Sequence, residues 1–230
     1  MKNFVITIVA MLTVVSFAHA QSCDEFVGAN AGKNFVYVNN DAKGNEMGRV
    51  SYSAVKKDPS TITIHSEVTD KKGKQTGTAD FDMNCTGSTI KVDMRSFIPA
   101  GSNKEFSNME MVADGKYLVY PLNLKAGDKL DDGSMLITIN NKGSKFGEMN
   151  IDITDRTVEQ TETVNSAAGN FDCFRISYNI LIKAKVMGIG IPVNMKVTEW
   201  YSPKLGRFVK SETYNKNGKF MGTTTLASVN

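Results

Sequence analysis

The sequence predicts a mainly β protein whose half-buried antiparallel strands form one domain. Three observations predict it: apolar and polar residues alternate over long stretches, one turn pattern recurs, and helical periodicity is scarce. A parallel sheet would instead show continuous apolar runs separated by helices. We therefore expect a fold dominated by antiparallel hairpins, with few short helices.

The first twenty residues have the three parts of a cleavable signal peptide. Lys2 supplies a positive charge, residues 4–17 form an apolar run, and AHA at 18–20 is a small-x-small cleavage site. A transmembrane anchor is the alternative, but roughly fourteen helical residues cover only about 21 Å of a roughly 30 Å hydrocarbon core. We therefore expect cleavage between Ala20 and Gln21, export to the periplasm or beyond, and no membrane-spanning segment afterwards.

The remainder, residues 21–230, is expected to be a single β-rich domain. About 210 residues lie within the range of single all-β sandwiches and barrels, and such a chain can bury a sizeable core. The whole sequence has a formal net charge of +3, and its basic and acidic residues are interleaved rather than blocked. This charge pattern indicates neither a nucleic acid nor an anionic membrane as a partner.

Three cysteines remain after cleavage, Cys23, Cys85 and Cys173. An oxidising compartment permits disulfides, and an odd count allows one bridge with three possible pairings. A bridge between Cys23 and Cys85 would close a loop of about sixty residues, worth about 4 kcal/mol in the chain-entropy model. We favour this pairing because it would tie down an otherwise free N-terminus.

The clearest alternation predicts a long strand followed by its hairpin partner. Apolar side chains occupy every second position of residues 174–186, and only Leu181 breaks the pattern. The alternation resumes at residues 191–197, after a GIG sequence at 188–190 that supplies flexible turn residues. Because alternate side chains of a strand point to opposite faces, both strands are expected to have one apolar face and one solvated face.

A turn pattern recurs three times along the chain. Each copy has Asp or Asn three residues before a glycine, and a second glycine four residues later. The Asx side chain can bond to nearby backbone, and the first glycine can adopt the positive φ of a tight turn. We therefore predict three hairpin tips, and their lysine-rich composition argues against cation sites. The copies are DAKG at 41–44 with Gly48, DKKG at 70–73 with Gly77, and NKNG at 215–218 with Gly222.

Candidate catalytic and metal-ligating residues are few. His65, the one histidine left after cleavage, lies on the polar side of a short alternating segment, which favours a solvated strand residue. The chain has no G-x-S-x-G elbow, no phosphate-binding loop and no dinucleotide fingerprint. Asp128, Asp131 and Asp132 could hold calcium, although a charged surface turn is the stronger interpretation. We therefore expect no enzyme activity, no cofactor and no metal site.

Two further features leave alternatives open. Residues 97–111 lack alternation and predict either a short helix or a lid-like loop over the sheet. Ten methionines survive removal of the signal peptide. Methionine fills irregular cores and also occurs on surfaces that accept varied apolar partners, so the count supports either role.

The C-terminal part of the chain contains three distinctive segments: NSAAGNFDCFRISY at 165–178, EWYSPKLG at 199–206 and VKSETYNKNGK at 209–219. Through them the chain resembles the TapB-like family of exported bacterial proteins, which is akin to a broader domain family of unknown function. Cys23, residues 70–73, Cys85 and LDDGS at 130–134 fit as well, while Ala167 stands where the family pattern has proline.

The resemblance implies a curved antiparallel sheet similar to the half-open barrels of periplasmic lipoprotein carriers, and it brings no catalytic residues. We expect an exported, non-enzymatic envelope protein that binds a lipid-like or other apolar ligand on a concave sheet face. The alternative is a structural or interaction module that binds another envelope protein through its sheet edges or outer face. The residues expected on the apolar concave face are Phe174, Ile176, Tyr178, Ile180, Ile182, Val193, Met195, Val197 and Trp200.

Overall fold

The computed structural model describes residues 22–97, 110–115, 117–186 and 189–230. The predicted signal peptide with Ala20 and Gln21, and most of the segment at 97–111, lie outside these residues. Within them the prediction of a mainly β fold is confirmed. The elements are α1 (Cys23–Asn30), β1 (Asn34–Asp41), β2 (Glu46–Asp58), β3 (Thr61–Asp70), β4 (Gln75–Thr86), β5 (Thr89–Asp93), a 3₁₀ turn (Met94–Phe97), β6 (Glu110–Gly115), β7 (Tyr117–Pro121), β8 (Gly133–Asn141), β9 (Ser144–Ser166), β10 (Gly169–Val186), β11 (Ile189–Ser202), β12 (Arg207–Asn215) and β13 (Phe220–Val229).

All the described strands belong to one antiparallel sheet that curls into a nearly closed barrel. Their order is β6-β8-β9-β10-β11-β12-β13-β1-β2-β3-β4-β5-β7. The two edge strands, β6 and β7, are separated by one residue in sequence, so the two edges of the sheet come back together. Arg156 of β9 connects edge strand β7 to the other end of the sheet, because its Nη1 donates to the carbonyl of Val119 in β7 at 3.2 Å.

The core lies inside this barrel, as the period-two alternation predicts. Buried residues recur at every second position of single strands, for example Phe35 and Tyr37 in β1 and Ile62 and Ile64 in β3. At about 25 cal/mol per Å² of apolar surface, a fully buried side chain of this size contributes about 1.5–3 kcal/mol. One continuous core therefore forms from strands distant in sequence.

Helix α1 closes one end of the barrel. Ser22 caps it in a reciprocal capping box with Glu25, so that two otherwise unpaired backbone donors are satisfied. Phe26 and Val27 are buried against the sheet. The predicted bridge between Cys23 and Cys85 is confirmed and ties the helix to β4.

The three predicted hairpin tips are confirmed and lie side by side. They connect β1 to β2, β3 to β4 and β12 to β13, which are neighbouring pairs in the sheet. In the first tip, Asp41 Oδ1 accepts from the backbone N–H groups of Lys43 and Asn45 at 2.8 and 2.9 Å. The same two bonds occur at Asp70 and at Asn215. The tips therefore form one rim of the barrel.

The long hairpin predicted near the C-terminus is confirmed by its register. Residues of β10 and β11 pair without interruption from Phe174 with Tyr201 to Val186 with Ile189. The glycine turn was expected at 188–190, but β11 already begins at Ile189. Residues 187 and 188 lie outside the described part of the chain.

Candidate functional site

The inside of the barrel contains a cavity of about 300 Å³. Residues from both halves of the sheet line it, so the cavity exists only because the sheet curls. Seven apolar side chains line it: Val50, Phe81, Met83, Val92, Ile180, Val197 and Phe208. Pockets for small apolar ligands usually measure about 300–1,000 Å³, so this volume suits one slender molecule.

Five tyrosines contribute the amphipathic part of the wall. Tyr120 stacks on Tyr201 with ring centroids 4.5 Å apart and planes 6° from parallel, while Tyr37 meets Tyr52 edge to face at 5.5 Å. The Tyr37 hydroxyl donates to the carbonyl of Phe208 at 2.7 Å. Stacked and edge-to-face pairs fix ring positions, so these residues give the cavity a defined shape. The lining tyrosines are Tyr37, Tyr52, Tyr120, Tyr178 and Tyr201.

A carboxylate lies buried at the cavity wall. Glu199 is 3% exposed, and its two oxygens accept from the hydroxyls of Tyr120 and Tyr178, each at 3.0 Å. Burial raises the pKa of Glu199 above the ordinary carboxyl value, while the positive charge of Arg156 and the two hydrogen bonds oppose this shift. Arg156 also lies 4.6 Å from the centre of the Tyr120 ring. Glu199 therefore has both hydrogen-bond partners and a counter-charge.

A buried arginine lines the cavity near α1. Arg207 is 9% exposed and lies 3.7 Å from the centre of the Phe35 ring. Its Nη2 donates to Asn30 Oδ1 of α1 at 3.2 Å, whereas its buried Nε has no hydrogen-bond partner. Burial lowers the pKa of Arg207, and the nearby phenols of Tyr37 and Tyr52 partly offset this effect. The guanidinium nevertheless stays protonated in proteins, so the cavity has a positively charged group at this position.

Four uncharged polar residues line the cavity toward the rim of hairpin tips. Asn39, Ser211, Thr213 and Thr224 line it there and are partly exposed. Asn39 and Thr213 each lie two residues before the Asx of a tip. Strand β12 runs from Arg207 to the rim at Asn215, a distance of about 27 Å at roughly 3.4 Å per residue. The cavity thus changes from partly exposed and polar at the rim to buried near α1.

The structure brings together part of the predicted concave face. Tyr178, Ile180 and Val197 line the cavity, and Ile176 is fully buried in the neighbouring core. Other members of the set lie outside the cavity: Phe174, Ile182 and Met195 are partly buried, and Val193 is 42% exposed.

The placement of Trp200 on the concave face is wrong. Trp200 pairs with Arg175, which is one residue out of phase with Phe174 and Ile176, so its ring lies on the opposite face of the sheet. There its Nε1 donates to Glu162 at 2.7 Å, and Lys210 Nζ lies 4.4 Å from the ring centre. The aromatic residue facing inward at this level is Tyr201.

The remaining candidate residues do not converge on the cavity. His65 lies on β3 as predicted, with its side chain 53% exposed and Nδ1 2.7 Å from Asp80 Oδ1. Asp128 Oδ2 accepts from the backbone of Lys125, and Asp132 Oδ1 accepts from the backbone of Asp155. Among the residues that the structure describes, no group of three or more His, Cys, Asp or Glu side chains could hold a metal ion.

Cys173 is a free, buried thiol. Burial, reinforced by the charges of Asp172 and Glu162, raises the pKa of Cys173 to about 12. Because the thiolate is the reactive form, this environment does not suit a nucleophile.

Comparison with known protein families identifies the fold family. A family model described as DUF3108-like matches residues 30–226. The chain belongs to the DUF3108-like family. No match was found among curated proteins. The TapB-like resemblance agrees with this class of domain of unknown function, while that finer assignment stays a prediction.

Two crystal structures share the fold of this DUF3108-like protein. One is a candidate lipoprotein of Parabacteroides distasonis, 24% identical, with a TM-score of 0.71 over 91% of this chain and 100% of that one. The other is a candidate exported protein of Bacteroides fragilis with a YmcC-like fold, 22% identical, with a TM-score of 0.67 over 87% of this chain and 96% of that one. In the part of the chain described here, none of the helices could cross a bilayer.

Sequence reasoning missed the two buried charges of the cavity. Glu199 occupies the next alternate position after Val193, Met195 and Val197, so the sequence alone places its side chain on the apolar face of the strand. A charged residue on such a face could have been recognised as a buried charge. Arg207 gives no such signal, because it lies at the start of β12 beside an irregularity in the register between Trp200 and Tyr201. The burial of Arg207 depends on the packing of β11, β12 and α1 against one another, which local sequence patterns do not predict.

Proposed function

We propose that this DUF3108-like protein is an exported, non-enzymatic binding protein that holds one slender apolar ligand inside its barrel. The observation that supports the proposal is the cavity of about 300 Å³ with its apolar and tyrosine wall. Apolar cavities that exclude water are natural sites for apolar ligands, since their walls gain contacts when they are filled. Export through the predicted signal peptide would place this protein in the cell envelope, where lipids are abundant.

The chemistry of the cavity fits binding better than catalysis. Glu199 already accepts two hydrogen bonds, and the one free thiol is held protonated by its surroundings. No serine or threonine that lines the cavity has a hydrogen bond to a carboxylate or an imidazole of the described residues, so the usual pairing of a hydroxyl nucleophile with a base does not occur there. The described sheet also leaves only β6 and β7 as edges, which limits binding through strand addition.

Two valines of β2 allow a matched test of ligand binding. Val50 lines the cavity, whereas Val55 on the same strand is 61% exposed and lies outside it. We expect residues 21–230 to bind the apolar dye N-phenyl-1-naphthylamine with saturable fluorescence enhancement. Val50→Trp should weaken binding at least tenfold because the indole fills the cavity, while Val55→Trp should bind like the wild type.

Thermal denaturation provides the folding control for both variants. If the dye binds the two variants with equal affinity, or does not bind the wild type, the cavity is not the ligand site. In that case the alternative predicted from the sequence, an interaction module that acts through the outer face, becomes the better account.

A further inference from the structure

We infer that the ligand is a single-chain amphiphile with an anionic head group, bound with that head group at Arg207. The inference rests on the proposed function, because it concerns the chemistry of the molecule in the same cavity. The observation behind it is a positive charge that lines the cavity wall without a negative partner.

The charge of Arg207 is uncompensated within the described residues. None of the ion pairs formed there includes it. Its partners are the amide of Asn30, the sulfur of Met83 at 3.9 Å, the ring of Phe35 and the phenol of Tyr37, and none of them is a carboxylate. Burying an unpaired charge is unfavourable, so a cavity-lining guanidinium without a carboxylate favours an anion that could pair with it.

The second buried charge does not compete for this role. Glu199 is also at the cavity wall, but Arg156 provides its counter-charge and two tyrosines occupy its oxygens. Arg156 does not line the cavity itself. In the cavity wall, the charge of Glu199 is therefore compensated and that of Arg207 is not. The uncompensated positive charge of Arg207 favours a ligand with a negative charge.

The donor geometry of Arg207 suits a carboxylate or a phosphate. A guanidinium binds such groups through paired N–H donors, and the Nε donor of Arg207 has no acceptor of its own. Asn30 holds Nη2 from the α1 side, so the guanidinium is anchored before a ligand arrives. Such preorganisation reduces the entropic cost of binding.

The shape of the cavity supports a single chain with its head group innermost. Arg207 lies at the end closed by α1, and the partly exposed lining residues lie near the hairpin rim about 27 Å along β12. Apolar side chains such as Val50, Ile180 and Val197 line the same cavity. At about 300 Å³ the cavity is at the lower limit for small-molecule pockets, which favours one acyl chain over two.

An isosteric ligand series tests the inference. Affinities of the wild type for palmitate, hexadecyl phosphate and hexadecanol are measured at pH 7 by displacement of the dye. We expect at least one of the two anions to bind tenfold or more tightly than the alcohol. The comparison between the anions shows whether a carboxylate or a phosphate is preferred.

Variants of Arg207 connect that preference to its charge. Arg207→Met should bind the anions no better than the alcohol, while Arg207→Lys should keep part of the preference because the charge remains. Arg49→Met, which removes an exposed arginine paired with Glu46, should leave the preference unchanged. If Arg207→Met does not fold, the wild-type series and Arg207→Lys still decide the question.

The outcomes separate the two proposals. Equal affinity of the wild type for all three ligands overturns the anionic anchor and leaves the apolar cavity in place. A preference for anions that survives in folded Arg207→Met also overturns it. Failure of every ligand, together with failure of the dye, overturns the proposed function itself.

Discussion

At the residue scale, the two buried charges of the cavity wall, Glu199 and Arg207, are the most informative features of this protein. Both are at least nine-tenths buried, and among the described residues they are the only charged ones in the wall of the cavity. Charged side chains are rarely buried to this extent unless they are paired or functional. Glu199 is paired, because Tyr120 and Tyr178 donate to it and Arg156 supplies a positive charge. Arg207 has no such partner among the described residues, which suggests that its burial is functional.

The raised pKa of Glu199 predicts a specific pH dependence of stability. Between the ordinary carboxyl pKa and the higher folded value, the unfolded chain is ionised while the folded protein still holds its proton. Glu199 therefore makes folding less favourable as the pH rises through that window. Glu199→Gln removes this contribution, so the melting temperature of the variant relative to wild type should be higher at pH 7.5 than at pH 5.

The matched control is Glu67→Gln, which changes an exposed carboxylate on β3. Its melting temperature relative to wild type should change little between the two pH values. A constant difference between Glu199→Gln and wild type across this range would show that Glu199 titrates normally in the folded protein.

At the element scale, contacts between neighbouring hairpins explain the repeated turn pattern. The second glycine of one repeat pairs with the Asx of the next hairpin: Gly48 with Asp70, and Gly222 with Asp41. A β-bulge precedes each of these glycines, at Met47 and at Met221, which have no partner in the register. The spacing in the sequence thus combines a tight turn, a bulge and a close approach of two backbones.

The close approach predicts that alanine is not tolerated at these glycines. A Cβ on Gly48 would lie 2.3 Å from the Thr69 carbonyl oxygen, and one on Gly222 would lie 2.3 Å from that of Asn40. Since both obstacles are backbone atoms, the strands must separate. Each substitution to alanine should lower the free energy of unfolding by about 1–3 kcal/mol in urea titrations.

Gly190 is the matched control for these substitutions. It also lies in a strand, but a Cβ there meets no atom within 4 Å. Gly190→Ala should leave the urea midpoint nearly unchanged. Equal midpoints for Gly48→Ala and Gly190→Ala would contradict the explanation of the repeat.

The sequence predicts elements better than it predicts how they combine. Alternation and turn residues were sufficient for the strands around residues 62, 151 and 180, because both signals are local. Trp200 was assigned to the wrong face of the sheet because an aromatic residue is equally suited to either face. Only its pairing with Arg175 shows that it lies on the outer one. The cavity could not be predicted, since it requires strands distant in sequence, such as β2, β4 and β10, to line one space inside the barrel.

At the scale of the whole molecule, the disulfide holds the closed end of the barrel. It joins residues 62 positions apart and attaches α1 beneath Arg207. In the chain-entropy model a loop of this length is worth about 4 kcal/mol. Replacing Cys23 and Cys85 together by serine should therefore lower the free energy of unfolding by about that amount in urea titrations.

The free cysteine provides the control for the disulfide. Cys173→Ala leaves the bridge intact and should still lose stability when a reductant is added, whereas the double serine variant should not respond to it. If the double variant and the wild type unfold at the same urea concentration, the bridge does not hold α1 to the barrel.

The central claim is that the barrel carries a molecule in its cavity, and native mass spectrometry tests it most directly. The protein is purified from its exported location without detergent and analysed before and after organic extraction. We predict an added mass of one single-chain amphiphile on the wild type and on Val55→Trp, absent from Val50→Trp and lost on extraction. The bare polypeptide mass for all three proteins, together with no binding of added palmitate, would contradict the claim.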